Sequence, residues 1–121
     1  MKKLLFTLVL FIGLKSFGQV SAHNVLEIVI KDPNGNLVTF YHKDKEHWES
    51  QSKDTDGGIT KMLFTEMDEI TDNSLFLEIK ELGIKAKFDL ATKKVMMYQA
   101  DPATKKFPET SQMTAEIVSF K

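Results

Sequence analysis

Tyr41, His47, Trp48 and Glu49 fall within nine residues of one another. Together they carry groups that recognition uses: rings with polar tips, an imidazole and a carboxylate. An exposed Trp flanked by His47, Glu49 and Gln51 would stack on a sugar ring while carboxylate and amide groups hold its hydroxyls, and Tyr and Trp are enriched at binding surfaces generally. Trp48 is the only Trp in the chain, and in a small domain such a residue is more often a core anchor. Phe107 is a further candidate contact, the one large apolar side chain in an irregular stretch from Ala100 to Gln112 that also holds Pro102 and Pro108. Long irregular loops are uncommon in compact domains and often functional. The competing role for Phe107 is to pin that loop back onto a sheet.

Metal chemistry finds weaker material. Asp54-Thr55-Asp56-Gly57-Gly58 resembles the opening of a calcium loop, in which alternate carboxylates followed by Gly gather oxygens around a hard cation. The twelfth position counted from Asp54 is Thr65 rather than Glu, so Asp54 and Asp56 are weak calcium candidates and an ordinary Asx-Gly turn is the expectation. On an extended backbone His42, Asp44 and Glu46 would share one face, with His47 on the other and only His23 left as a further imidazole. That is a poor zinc set, because zinc ligands converge from several elements. Met96 and Met97 offer thioethers to copper(I), but neighbouring strand residues point to opposite faces. No cofactor is expected.

Catalysis finds no motif. The chain has no Cys, no Gly-x-Ser-x-Gly elbow, no paired His on a helix and no Gly-rich phosphate loop. Glu66, Asp68, Glu69 and Asp72 form a carboxylate cluster, which a glycosidase would need astride a groove, and which around a turn is a solvated corner. A non-enzyme is the expectation.

The elements that must position these residues read as strands. Leu26, Ile28 and Ile30 alternate with Glu27 and Val29, Asp32-Pro33-Asn34-Gly35 supplies turn residues, and Leu37 to Tyr41 returns as the partner strand. After the charged stretch His42 to Ser52 come strands near Ile59 to Glu66 and Leu75 to Ile79. Leu82-Gly83-Ile84 is a tight bend or bulge, Ile84 to Leu90 and Val95 to Gln99 follow, and Met113 to Phe120 is the last strand. Lys61 to Ile70 also fits a helical pattern, though its neighbours favour a strand. About seven strands joined by short turns predict an all-β fold: one small antiparallel meander forming a barrel or a sandwich. Met113 to Phe120 is apolar on both faces, so it is either central in the sheet or an edge covered by another chain.

Location is written at the amino terminus. Lys2 and Lys3 precede an eleven-residue apolar run, Leu4 to Leu14, and a small-residue tail, so residues 1–22 read as a cleavable signal peptide and 23–121 as a single β-rich domain. The run is too short for a membrane helix of about 20 residues, so no permanent membrane anchor is expected. Cleavage fits after Gly18 or after Ala22. A periplasmic or secreted protein without cysteine must rely on packing rather than disulfides. Without Lys2, Lys3 and Lys15, thirteen lysines face seventeen acids, a net charge near −4, and there is no Arg. Nucleic acid is therefore not an expected partner, since Arg is the fork that reads phosphate and guanine.

The functional expectation is a small exported domain that binds a protein partner or a saccharide through Tyr41, His47, Trp48, Glu49 and Phe107. An inhibitor of an exported enzyme or an envelope accessory protein fits that description. The alternative is a lipocalin-like carrier, with Phe64, Leu77, Phe88 and Met97 lining an apolar cavity.

Overall fold

Consecutive strands pair antiparallel all the way round a closed barrel in the computed structural model, which describes residues 21–121. They are β1 (Glu27–Lys31), β2 (Leu37–His42), β3 (His47–Lys53), β4 (Ile59–Glu66), β5 (Ser74–Ile79), β6 (Ile84–Asp89), β7 (Lys94–Gln99) and β8 (Met113–Phe120). All but the last two residues of the expected signal peptide lie outside the described residues. The all-β meander is as expected, and it is a barrel rather than a sandwich.

The count is eight rather than about seven, because the charged stretch after His42 contains β3. Its inward positions are Trp48, Ser50 and Ser52 and its outward ones His47, Glu49, Gln51 and Lys53, so only one large apolar residue marks the alternation. Ser50 is buried for a steric reason. It stands opposite Phe40 on β2 and Met62 on β4, and a small side chain there leaves room for the larger ones, as the taper of a narrow barrel requires.

Three phenyl rings fill the interior. Phe40 meets Phe64 at 5.3 Å and Phe88 at 5.0 Å between centroids, both tilted toward edge-to-face geometry. Ile28, Leu75, Leu77, Ala86 and Val95 pack around them with no exposed surface. A barrel of eight strands has an interior just wide enough for side chains to fill.

The turns follow their residue chemistry. Asp32 accepts the Asn34 and Asn36 amides at 2.9 Å each, and Gly35 takes φ +88°, a conformation an L side chain resists. The expected bend at Leu82-Gly83-Ile84 is a short 3-10 helix, Lys80–Leu82, closed by Gly83 at φ +65°. β8 pairs with both β7 and β1, so it is a central strand. Its apolar residues on both faces arise from a bulge opposite the Val29/Ile30 step: Ser119 and Ile117 pair with those two residues, which leaves Val118 unpaired and exposed.

Residues 21–25 plug one end of the barrel. Ser21 and Asn24 build a tight turn, Ala22 is 2% exposed and donates its amide to the Asp72 carbonyl at 2.8 Å, and Val25 is fully buried. The two expected cleavage points therefore leave unequal domains. A chain beginning at Gln19 is expected to be more stable than one beginning at His23 by about 1–2 kcal/mol, from one lost buried methyl and the lost hydrogen bond to Asp72, the exposed bonds of the Ser21–Asn24 turn adding little. Urea denaturation of the two chains measures the difference, and equal midpoints would show that the plug contributes nothing.

Candidate functional site

The outward faces of β2, β3 and β4 form the best-defined candidate surface. Odd-numbered residues on all three strands point away from the core, because their even-numbered neighbours Phe40, Trp48, Ser50 and Phe64 are buried within it. The register then sets Tyr41 beside Glu49 and Glu49 beside Leu63, with Thr39, Gln51 and Lys61 in the next row and Lys53 beside Ile59 in the one after. Glu49 accepts from the Gln51 amide at 2.9 Å, which holds the carboxylate in place. Leu63 and Ile59 are 59% and 60% exposed, so two large aliphatic side chains stand in solvent on one face of the strand.

His47 begins β3 on the same face, fixed by the turn before it. Asp44 accepts the Glu46 and His47 backbone amides at 2.9 and 3.0 Å and the His47 Nδ1 at 2.9 Å. The Glu46 amide above all, and then the His47 ring, hold the Asp44 carboxyl below the usual carboxylate range. A depressed folded value means that this contribution to stability is present above the ordinary carboxylate pKa and is lost as pH falls through the lower folded one. The Asp44 carboxyl is therefore expected to titrate below the ordinary value of an aspartate. NMR titration of the Asp44 side chain checks this, and a midpoint at or above the ordinary value would rule it out.

Trp48 occupies a different place from the other candidates. It is 0% exposed and points into the barrel, so it makes no outward contact. Its Nε1 donates to Glu66 Oε1 at 2.9 Å, and the His42 ring stacks on it at 4.4 Å with planes 7° apart. His42 in turn sits 3.3 Å from the Val25 carbonyl through Nδ1 and 3.7 Å from Glu66 through Nε2. This cluster seals the barrel end beside the plug. With His42 on one face of the indole and the core around the rest, no ring face remains for a sugar.

Phe107 lies over the far wall, formed by β5, β6 and β7. It is half-buried, and the Lys85 ammonium sits 4.8 Å from its ring and 5.5 Å from those of Phe76 and Tyr98. Cation–π attraction of this kind ties a loop to a sheet. The loop is pinned, and Phe107 belongs to a surface separate from Tyr41, His47 and Glu49.

No family model, curated protein or solved structure matches this chain. Function must therefore be read from the surfaces themselves.

The remaining candidates serve local structure. Asp54 accepts from Thr60 at the start of β4 at 2.8 Å and Asp56 from the Gly58 amide at 3.0 Å, so each carboxylate bonds within the β3–β4 hairpin. Among the described residues no three His, Asp or Glu side chains converge on a common point. Met97 packs against the core while Met96 faces outward toward Tyr98. The carboxylate cluster is dispersed: Glu66 turns in to Trp48, and Asp72 faces His23 at 3.4 Å.

Ile59, Lys61 and Leu63 were not among the residues singled out by sequence. The available signal was that Ile59 to Glu66 carries apolar residues on both faces, Met62 and Phe64 on one and Ile59 and Leu63 on the other. In a strand with one solvated face, that second set needs a reason.

Proposed function

We propose that this protein is a non-catalytic binding module that engages a protein partner through the outer face of β2, β3 and β4, with Tyr41, His47, Glu49 and Leu63 as its contact residues. The observation that carries this is the exposure of Leu63 directly beside the half-buried Tyr41–Glu49 pair. An apolar centre bordered by a tyrosine, a carboxylate and an imidazole has the composition of a protein interface, in which a desolvated core is ringed by polar groups. The saccharide version loses its stacking platform with Trp48 enclosed. The carrier alternative loses its central cavity, since Phe40, Phe64 and Phe88 occupy the interior.

The test is capture from envelope and secreted fractions with three forms of the tagged domain: wild type, Leu63→Glu and Phe107→Ala. A single stoichiometric protein held by wild type and Phe107→Ala, and lost at least tenfold with Leu63→Glu, supports the assignment. Equal recovery by wild type and Leu63→Glu moves the interface elsewhere. Leu63 points outward, so Leu63→Glu should leave the fold intact, which circular dichroism verifies.

A further inference from the structure

β4 outruns its neighbour. Its ladder with β5 consists only of Thr65↔Glu78 and Glu66↔Leu77, because β5 ends at Ile79 and the chain turns away into the Lys80–Leu82 helix. From Ile59 to Phe64 the strand is paired with β3 alone. Which backbone groups are left over follows from the register. The Glu66 amide bonds to the Glu46 carbonyl at 2.8 Å, and the Asp54 amide to the Gly58 carbonyl at 2.7 Å, so even-numbered residues of β4 exchange their hydrogen bonds with β3. The N–H and C=O groups of Ile59, Lys61 and Leu63 then face away from β3, and no backbone partner meets them among the described residues.

Open edges of this kind accept a further strand. The side chains along this one define what that strand must carry. Ile59, Lys61 and Leu63 all point outward and are all exposed, and Lys61 makes no ion pair among the described residues. A second copy fits poorly. The antiparallel self-pairing with the most overlap is centred on Lys61 and sets that ammonium against its own symmetry mate, a destabilising like-charge pair.

We infer that the free edge of β4 receives an extended segment of a different protein, added antiparallel, with an acidic side chain opposite Lys61 and apolar ones opposite Ile59 and Leu63. Backbone hydrogen bonds at Lys61 and Leu63 supply the attachment, and the lysine selects the sequence. This rests on the protein-binding role proposed above and names the manner of docking at the same site.

Amide exchange and a synthetic peptide test it on the whole domain. In the free protein the Lys61 and Leu63 amides should exchange at least tenfold faster than those of Met62 and Phe64, and equal protection would overturn the inference. The probe is the peptide Thr-Ile-Thr-Glu-Thr-Leu-Thr, at up to millimolar concentration. At ten times its dissociation constant, exchange at Lys61 and Leu63 should slow about tenfold. The same peptide N-methylated along its β4-facing edge keeps its side chains but cannot extend the ladder, and should bind at least tenfold more weakly. Equal binding of both peptides, with shifts at Tyr41, Glu49 and Leu63, would overturn strand addition while leaving the face as an interface. No slowing with either peptide would also overturn strand addition, and the Leu63→Glu capture would then judge the face alone.

Two variants sharpen the result. Lys61→Pro removes an N–H that β3 does not use, a position where an edge strand tolerates proline, and should abolish the slowing at Leu63. Lys61→Glu should prefer the peptide with lysine at its centre over the one with glutamate by at least tenfold. An unchanged preference would show that Lys61 does not select the segment.

Discussion

Trp48→Ala is expected to destabilise the domain by about 3–5 kcal/mol, the range for truncating a buried aromatic residue, and to lower its thermal midpoint by roughly 15–30 °C. Three losses coincide. The indole has no exposed surface, so its removal opens a cavity that the neighbouring strands cannot close without breaking register. His42 loses the ring it stacks on at 4.4 Å. Glu66 loses the Nε1 donor at 2.9 Å and, among the described residues, keeps only His42, 3.7 Å away, beside its half-buried carboxylate. Trp48→Phe separates these effects: it retains much of the ring while deleting the donor, and should cost about 1–3 kcal/mol, the penalty for an unsatisfied buried group. Far-UV circular dichroism with urea reads both variants without depending on the lost fluorophore. A loss below about 1 kcal/mol for Trp48→Ala would mean that the indole is not enclosed.

Phe40→Ala carries a comparable expected effect, again about 3–5 kcal/mol. Phe40 is the ring that touches both others, at 5.3 Å to Phe64 and 5.0 Å to Phe88, and it stands opposite the small Ser50, which cannot grow into the space. The coupling between rings is measurable separately. A double-mutant cycle with Phe88→Ala should give an interaction energy of about 0.5–1.5 kcal/mol, the excess of an aromatic pair over its buried area. Strict additivity would show that the two rings only share a cavity. If Phe40→Ala instead produced a stable domain that took up a small apolar molecule, the lumen would be an adaptable pocket rather than a packed core.

The parts of this fold that local chemistry determines were legible, and the parts that depend on distant strands were not. Asp32-Pro33-Asn34-Gly35 announces a turn through its own side-chain acceptor and its glycine, and the hairpin formed there as expected. β3 was hidden because a strand inside a narrow barrel alternates large with small, and Ser50 and Ser52 do not look like core residues until Phe40 and Met62 are placed across from them. Burial of Trp48 was favoured only by the general tendency of the residue, because one step of register moves it from solvent to core and its flanking residues do not fix that step. Of the candidates, Tyr41 and Glu49 are direct neighbours with His47 on the same face, while Phe107 went to another wall under the pull of Lys85. The open edge of β4 was out of reach altogether. It exists because β5 stops at Ile79, a fact about one strand's length relative to another rather than about any residue in β4.

The pairing of β1 with β8 joins Ile28 to Phe120, and the Lys121 carbonyl accepts the Leu26 and Glu27 amides at 2.8 and 3.0 Å. Every other strand pair forms between sequence neighbours, so the whole cost of bringing distant residues together falls on this one contact. The cylinder cannot shut until the final strand has been delivered. Up to that moment the chain is an open ribbon whose first strand lacks its second partner, and the plug at residues 21–25 has no finished rim to seat against.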